Sequence, residues 1–337
     1  MRSFRKLAIA VMIFILAAGM LMAGGGRDRA DQPLELRWYQ PEPIGHPWTD
    51  VSFLIAREIE ERSGGSLRVT IYHSGVLGSQ AEAVDMLRVG SLALLTSGPS
   101  ILASFYEAVQ VAALPFIFDD PAHAYRFFAS PYAQRVYNET ILGRSGVRTL
   151  DFWYFGDRNL TTRGITVNSP SDLSGIRIRA MDTPIARTVV ESLGANPVPI
   201  AFTELYFALQ TGVVAGQENP IPTILAQRFY EVQDNVILTR HSVHMGTVHV
   251  SEMIWRRLTA EQQNIITEAL ARYRPEIERR IVQQTEEGIQ ALRARGVQVY
   301  EPANLPAFRA SAAALIDQNF GHIPEWRQAI DAARAAR

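Results

Sequence analysis

Arg177 and Arg179, two residues apart in the stretch Gly175-Ile-Arg-Ile-Arg-Ala180, are residues whose type and spacing could do chemistry. The alternation predicts a short strand with both guanidinium groups on one face and Ile176 and Ile178 on the other. A guanidinium offers a planar fork of donors that fits a carboxylate. Thr183-Pro184 follows, a capping hydroxyl before a proline at the first helical position. A helix starting there would turn free N–H groups toward a bound anion beside Arg179. Further along, Gln217-Glu218-Asn219-Pro220 brings amide and acid groups to what reads as a turn bounded by Gly216 and Pro220. Together these residues suggest a site for an organic anion. Arg177 fits a solvated outer face equally well, whereas Arg179 lies nearer the strand end and the helix start. A buried arginine there would need an acid partner, and a bound carboxylate is one.

Other chemistry lacks its residues. The chain contains no G-x-S-x-G, no G-x-x-x-x-G-K-[ST] and no G-x-G-x-x-G, so neither a serine-hydrolase elbow nor the common nucleotide loops are supported. His241, His244 and His249 do not have the H-E-x-x-H spacing, and on a strand His241 and His244 would face opposite ways. Zero cysteines exclude disulfides, thiolate nucleophiles and Cys-ligated zinc. Glu204 and Glu218 are the acids nearest the candidate site, and Glu204 reads more simply as a first-turn helix acid beside Thr203. No metal or cofactor is expected. A net charge of −1, with Lys6 the only lysine, leaves no basic field for nucleic acid.

The elements that must position these residues follow from the apolar pattern of 337 residues, 47% hydrophobic and 20% charged, a soluble globular composition. Residues 1–23 have the layout of a secretory leader: Arg2, Arg5 and Lys6, then the apolar run Leu7–Ala23, then small residues, with cleavage expected near Ala23. Retention as a membrane anchor is the alternative, and the run is short for a span. Residues 24–33 read as a linker. Strands are predicted at Leu34–Gln40, Leu67–Tyr72 and Leu92–Thr96, alternating with a helix capped by Thr49 and another from Ser79 to Val89. This βαβαβ order argues for an α/β fold whose strand-end loops line a cleft. Ala112–Asp120 reads as a packed loop, Val147–Phe152 as a strand and Gly156-Asp157-Arg158-Asn159 as a turn exposing another arginine. Asn235–Leu238 and Val243–Val250 read as two strands. Thr259-Ala-Glu-Gln262 opens a helix that runs past Pro275 to Arg295, Val297–Tyr300 is a returning strand, and Leu305–Phe320 and Pro324–Ala336 are helices.

Ser63-Gly64-Gly65, Gly75-Val-Leu-Gly78, Leu114-Pro115-Phe116, Gly175-Ile-Arg-Ile-Arg179, Glu204-Leu-Tyr206 with Ala208-Leu-Gln210, and Gly216-Gln-Glu-Asn-Pro220 occur in this order over nearly the whole chain. In this it resembles the periplasmic substrate-binding subunits of tripartite ATP-independent periplasmic (TRAP) transporters, of the DctP type. The resemblance implies an α/β protein of two lobes that exchange strands and are spanned by a long helix. Lobe I would comprise 34–155 plus 245–284, and lobe II 156–244 plus 285–337. It further implies a periplasmic receptor, not an enzyme, that closes on an organic acid and delivers it to the membrane permease subunits; a monomer is expected. The family's carboxylate-clamping arginine falls on Arg179, a second ligand-facing arginine on Arg158, the cleft asparagine on Asn219 and an aromatic packing on the ligand on Phe202. Ala215 stands where the family usually has Asp. His46, Gln80 and Gly98 fall where first-lobe contacts vary among members. The rival from another class is a secreted α/β enzyme acting on a carboxylated molecule, with Glu218 or a histidine as base.

Overall fold

The structure, a computed structural model, describes residues 32–337. The expected leader and most of the linker lie outside the described residues. Among those, no helix is long and apolar enough to cross a membrane.

Strand β1 (Leu34–Tyr39) pairs in parallel with β2 (Leu67–Tyr72) on one side and β3 (Leu94–Ser97) on the other. Helices α1 (Pro47–Arg62) and α2 (Gln80–Arg88) make the crossovers. In α1, Val51, Ile55, Ala56 and Ile59 form the buried stripe, and the cap is His46, whose ring accepts from the Trp48 N–H, in place of the expected Thr49. Ser79 and Glu82 close a capping box on α2. The expected loop after residue 112 is partly a 3-10 helix, Glu107–Ala113, ahead of α3 (Pro121–Ala129).

Two long strands then cross the molecule. β4 (Val147–Thr162) runs straight through the expected turn at 156–159. Gly156, at φ +113°, sits in a bulge, and a Cβ there would meet Pro220 Cβ at 2.8 Å, so the strand bends without ending. The strands β5 (Arg177–Ala180), β6 (Asn196–Pro199) and β7 (Gly216–Pro220) flank it, with α4 (Pro184–Ser192) between β5 and β6. β7 is a fully buried strand antiparallel to β4, not the expected turn, and α5 (Ile221–Ala226) follows it directly. The two runs expected at 235–250 are one strand, β8 (Asn235–Ser251), whose break is absorbed around Arg240 at φ +42°. The sheet order is β2-β1-β3-β8-β4-β7-β5-β6, and β9 (Gln298–Tyr300) adds to β8.

Helix α6 (Ala260–Ala294) opens with the Thr259–Gln262 capping box and spans about 52 Å. Ile265, Ile266, Leu270, Ile277 and Ile281 lie in the core around β1–β3, and Leu292 lies in a second core with Val236 and Leu238 of β8 and Val299 of β9. A third core gathers Leu160, Ile178, Val190, Ile237 and Phe308. Of the last two helices, α7 (Leu305–Phe320) and α8 (Pro324–Ala335), α7 is shared: Phe308 joins the third core, while its Ile316 and Phe320 pack into the first with Trp326, Ala329 and Ile330 of α8. His123 and Arg126 of α3 bond the carbonyls of Ala333 and Ala336. Residues 285–337 are thus divided between cores, where the sequence reading placed them together.

The first core reaches the middle of the molecule through Trp48. Its ring lies against Phe155, with centroids 4.2 Å apart, its Nε1 donates to the Tyr154 carbonyl at 3.1 Å, and a Cβ added at Gly246 would stand 1.5 Å from Cη2. Gly246 is therefore the residue that admits the indole over β8.

Candidate functional site

The carboxyl ends of β1, β3 and β5 open on one cavity of about 120 Å³. Tyr39 and Glu42 enter from the end of β1, Ser97 and Gly98 from β3, and Arg179 from β5, and Phe202 and Thr203 also line it. Strands that end at a cleft leave their following loops free to carry function.

Arg179 is 2% exposed. Its neighbour two residues back on the same strand face, Arg177, is exposed, so the face passes from solvent to interior within one step of the pleat. Arg179 Nε donates to the Ile200 carbonyl at 3.0 Å, and its Cζ lies 5.9 Å from the half-buried Phe202 ring. Nη1 is buried and has no hydrogen-bond partner among the described residues. Burial, with Arg158 adding to it and Glu218 opposing, pulls the guanidinium down to about 10, which leaves it charged at neutral pH. It makes no ion pair with any described carboxylate. Thr183 also lines the cavity, and its hydroxyl is buried without a partner instead of capping α4.

Arg158 is in a different state. Register places it opposite Pro220, so Glu218 is its diagonal neighbour on the same face. Its Nε and Nη2 bond the Glu218 carboxylate, Nη2 also reaches Asn219 Oδ1 at 3.1 Å, and His241 Nε2 lies 3.1 Å from Glu218 Oε2. Burial raises the Glu218 carboxyl, but Arg158 and His241 outweigh it and hold it at about 2. Arg158 therefore enters the cavity as one half of a buried ion pair, with Nη1 making no hydrogen bond among the described residues. Asn219 also lines the cavity and spends its Nδ2 on Gln217.

The structure thus brings Arg179, Arg158, Asn219 and Phe202 to one cavity. Gln80 and Gly98 also line it, whereas His46 is fully buried as the α1 cap, with burial holding its ring down to about 3. His241 and His244 both turn inward despite their odd spacing, His241 to Glu218 and His244 to the cavity wall. His249 bonds Thr149 and Thr247 away from it.

Sequence reasoning missed Glu42. It is 2% exposed and lines the cavity, and its carboxylate accepts from Gln227 Nε2 at 3.2 Å and Thr223 Oγ1 at 3.4 Å. Burial raises it to about 7 against those bonds and the nearby charge of Arg158. The available signal was its place in Pro41-Glu42-Pro43, an acid at the carboxyl end of a parallel strand. Trp48, Phe155 and Met181 complete an apolar wall. A concave, mostly apolar cavity with a few converging polar groups suits a small ligand.

Residues 42–322 match the family described as bacterial extracellular solute-binding protein, family 7, also called DctP. The sialic acid-binding periplasmic protein SiaP of Vibrio cholerae is 29% identical over 324 residues, 95% of this chain and 97% of that protein. Among solved structures, the sugar acid binding protein of Advenella mimigardefordensis in complex with galactonate superposes with a TM-score of 0.85 at 27% identity, covering 91% of this chain and 99% of that one. A TRAP periplasmic solute-binding protein of Chromohalobacter salexigens with bound D-glucuronate gives 0.84 at 26% identity, covering 90% and 100%. Three cores tied together by crossing strands and a spanning helix fit the two-lobed architecture of these proteins. The chain belongs to family 7 of the bacterial extracellular solute-binding proteins, the DctP-type periplasmic receptors of TRAP transporters, and acts by binding a solute and not as an enzyme.

Proposed function

We propose that this receptor binds an organic acid between its lobes, with Arg179 holding the carboxylate. The observation that carries this reading is Arg179 itself, a buried guanidinium with no acid partner among the described residues and an unpartnered Nη1 on a cavity wall. Leaving a charge buried and unpaired is costly, and a ligand carboxylate offsets that cost. Arg158 adds its Nη1 and its field, Asn219 keeps Arg158 in place and offers its remaining amide hydrogen, and Phe202 packs on the ligand. The relatives described with bound galactonate and glucuronate support the same ligand class.

Lobe I is built on β1–β3 with α8 and the end of α7, and lobe II on β5–β7 with the start of α7, the two hinged through β4, β8 and α6. Closure of such lobes buries the ligand and forms the surface that TRAP permease subunits recognise. In this reading the receptor is a monomer released to the periplasm by cleavage near Ala23.

Calorimetry against aldonates, uronates, keto acids and C4-dicarboxylates tests the reading. The expected result is one-to-one binding of at least one acid, recovered chemically unchanged. Steady conversion of the acid, or no binding of any carboxylate, would contradict it.

A further inference from the structure

The cavity carries one arginine without an acid partner and, from the opposite lobe, one buried acid. Arg158 is paired with Glu218, so Arg179 is the cavity arginine without an acid partner among the described residues. Glu42 comes from the loop after β1, and the Glu42 carbonyl is fixed by the Thr49 hydroxyl and the Ser74 N–H. Its carboxylate has about four acceptor sites, and Thr223 and Gln227 fill two at long distances. Arg158 is close enough to act on it electrostatically. Ser79, Gln80, Ser97 and Ser100 also line the cavity on this side, and none of them is charged.

We infer that Glu42 determines specificity: its carboxylate accepts a hydroxyl of the ligand and repels a second ligand carboxylate, so that the solute is a hydroxylated monocarboxylate and not a dicarboxylate. This rests on the reading of Arg179 as the carboxylate clamp and adds what stands at the other end of the ligand. A dicarboxylate would set its second charge against the buried Glu42, where the nearby cation, Arg158, is already engaged by Glu218. A ligand ammonium would gain Glu42 but face Arg158 in the same cavity. A hydroxyl brings a donor and no charge, and it supplies the hydrogen bond that burial denies the ionised carboxylate.

The inference separates molecules that differ in a single terminal group. An aldonate and its aldarate share one carbon chain and differ only in whether it ends in CH2OH or a carboxylate. Three such pairs are titrated by calorimetry at pH 8.5, where the Glu42 carboxyl, raised by burial to about 7, is ionised, into the wild-type protein and into Glu42→Gln: erythronate with meso-tartrate, gluconate with glucarate, and galactonate with galactarate. Succinate and L-glutamine serve as further probes. For at least one pair, the wild type is expected to bind the aldonate at least tenfold more tightly than the aldarate. Glu42→Gln is expected to weaken the aldonate about tenfold and to narrow the aldonate-to-aldarate ratio by at least that factor. A ratio measured on one preparation does not depend on how much of the variant is folded, and its melting temperature is recorded alongside. An unchanged ratio in Glu42→Gln would overturn the inference, as would wild-type preference for an aldarate, succinate or L-glutamine. Those outcomes leave the clamp at Arg179 standing. Failure of every carboxylate to bind would remove both.

Discussion

Arg179→Lys is expected to weaken acid binding by roughly 1.5–3 kcal/mol, about 10- to 150-fold in Kd, although it keeps the charge. Lysine is a compact point charge on a flexible stem, without the fork that receives two carboxylate oxygens at once. Arg179→Met extends the test in the opposite direction. It removes a buried charge that has no acid partner among the described residues, and so is expected to abolish binding while leaving the melting temperature of the ligand-free protein unchanged or higher. Bound ligand should raise the wild-type melting temperature by mass action and leave that of Arg179→Met where it was. Affinity unchanged in Arg179→Lys would show that this guanidinium does not hold the ligand. A large loss of stability in Arg179→Met, without ligand, would show that its role is structural.

The second large effect falls on stability. Glu218→Ala leaves Arg158 buried without its acid and His241 without its partner, and is expected to cost roughly 3–5 kcal/mol, a fall of about 5–15 °C in melting temperature. Substituting both ends, Arg158→Met with Glu218→Gln, should recover part of that loss, because no uncompensated charge then remains. The effect is linked to pH. Glu218 is held at about 2 in the folded protein, below its ordinary value, so its stabilisation is complete above the unfolded value and is lost as pH falls toward 2. The gap between wild type and Glu218→Ala, followed by thermal unfolding, should therefore narrow from pH 5 downward. Equal melting temperatures at neutral pH would mean that the pair contributes nothing to the fold.

These two arginines also show what the sequence could disclose. Arg179 was legible because strand alternation put it beside a buried isoleucine and the Thr183-Pro184 helix start fixed where the strand must end. Arg158 looked equally available, since nothing local to Gly156-Asp157-Arg158-Asn159 reveals that Glu218 lies diagonally across β7. The polar run 217–219 read as a turn because three consecutive polar residues are poor candidates for a buried strand. They are buried because each finds a partner: Gln217 bonds Thr161, which in turn bonds Gln233, while Glu218 and Asn219 engage Arg158. Gly156 and Arg240 looked like breaks for a related reason, as a left-handed residue ends an ordinary strand but only bends one inside a bulge. The parallel β1–β3 unit, the long helix with its capping box and the two C-terminal helices were readable from periodicity and caps alone. The docking of α8 on the first core was not, because it depends on an apolar stripe meeting a surface far away in the chain.

The most direct measurement is a crystal structure of the protein with the acid that calorimetry shows to bind most tightly. The expected result is a single unmodified acid enclosed between the lobes, with a carboxylate oxygen about 3 Å from Arg179 Nη1 and the Arg158–Glu218 pair intact behind it. A carboxylate seated elsewhere, with Arg179 Nη1 still lacking a partner, would contradict the clamp on which the proposed function depends.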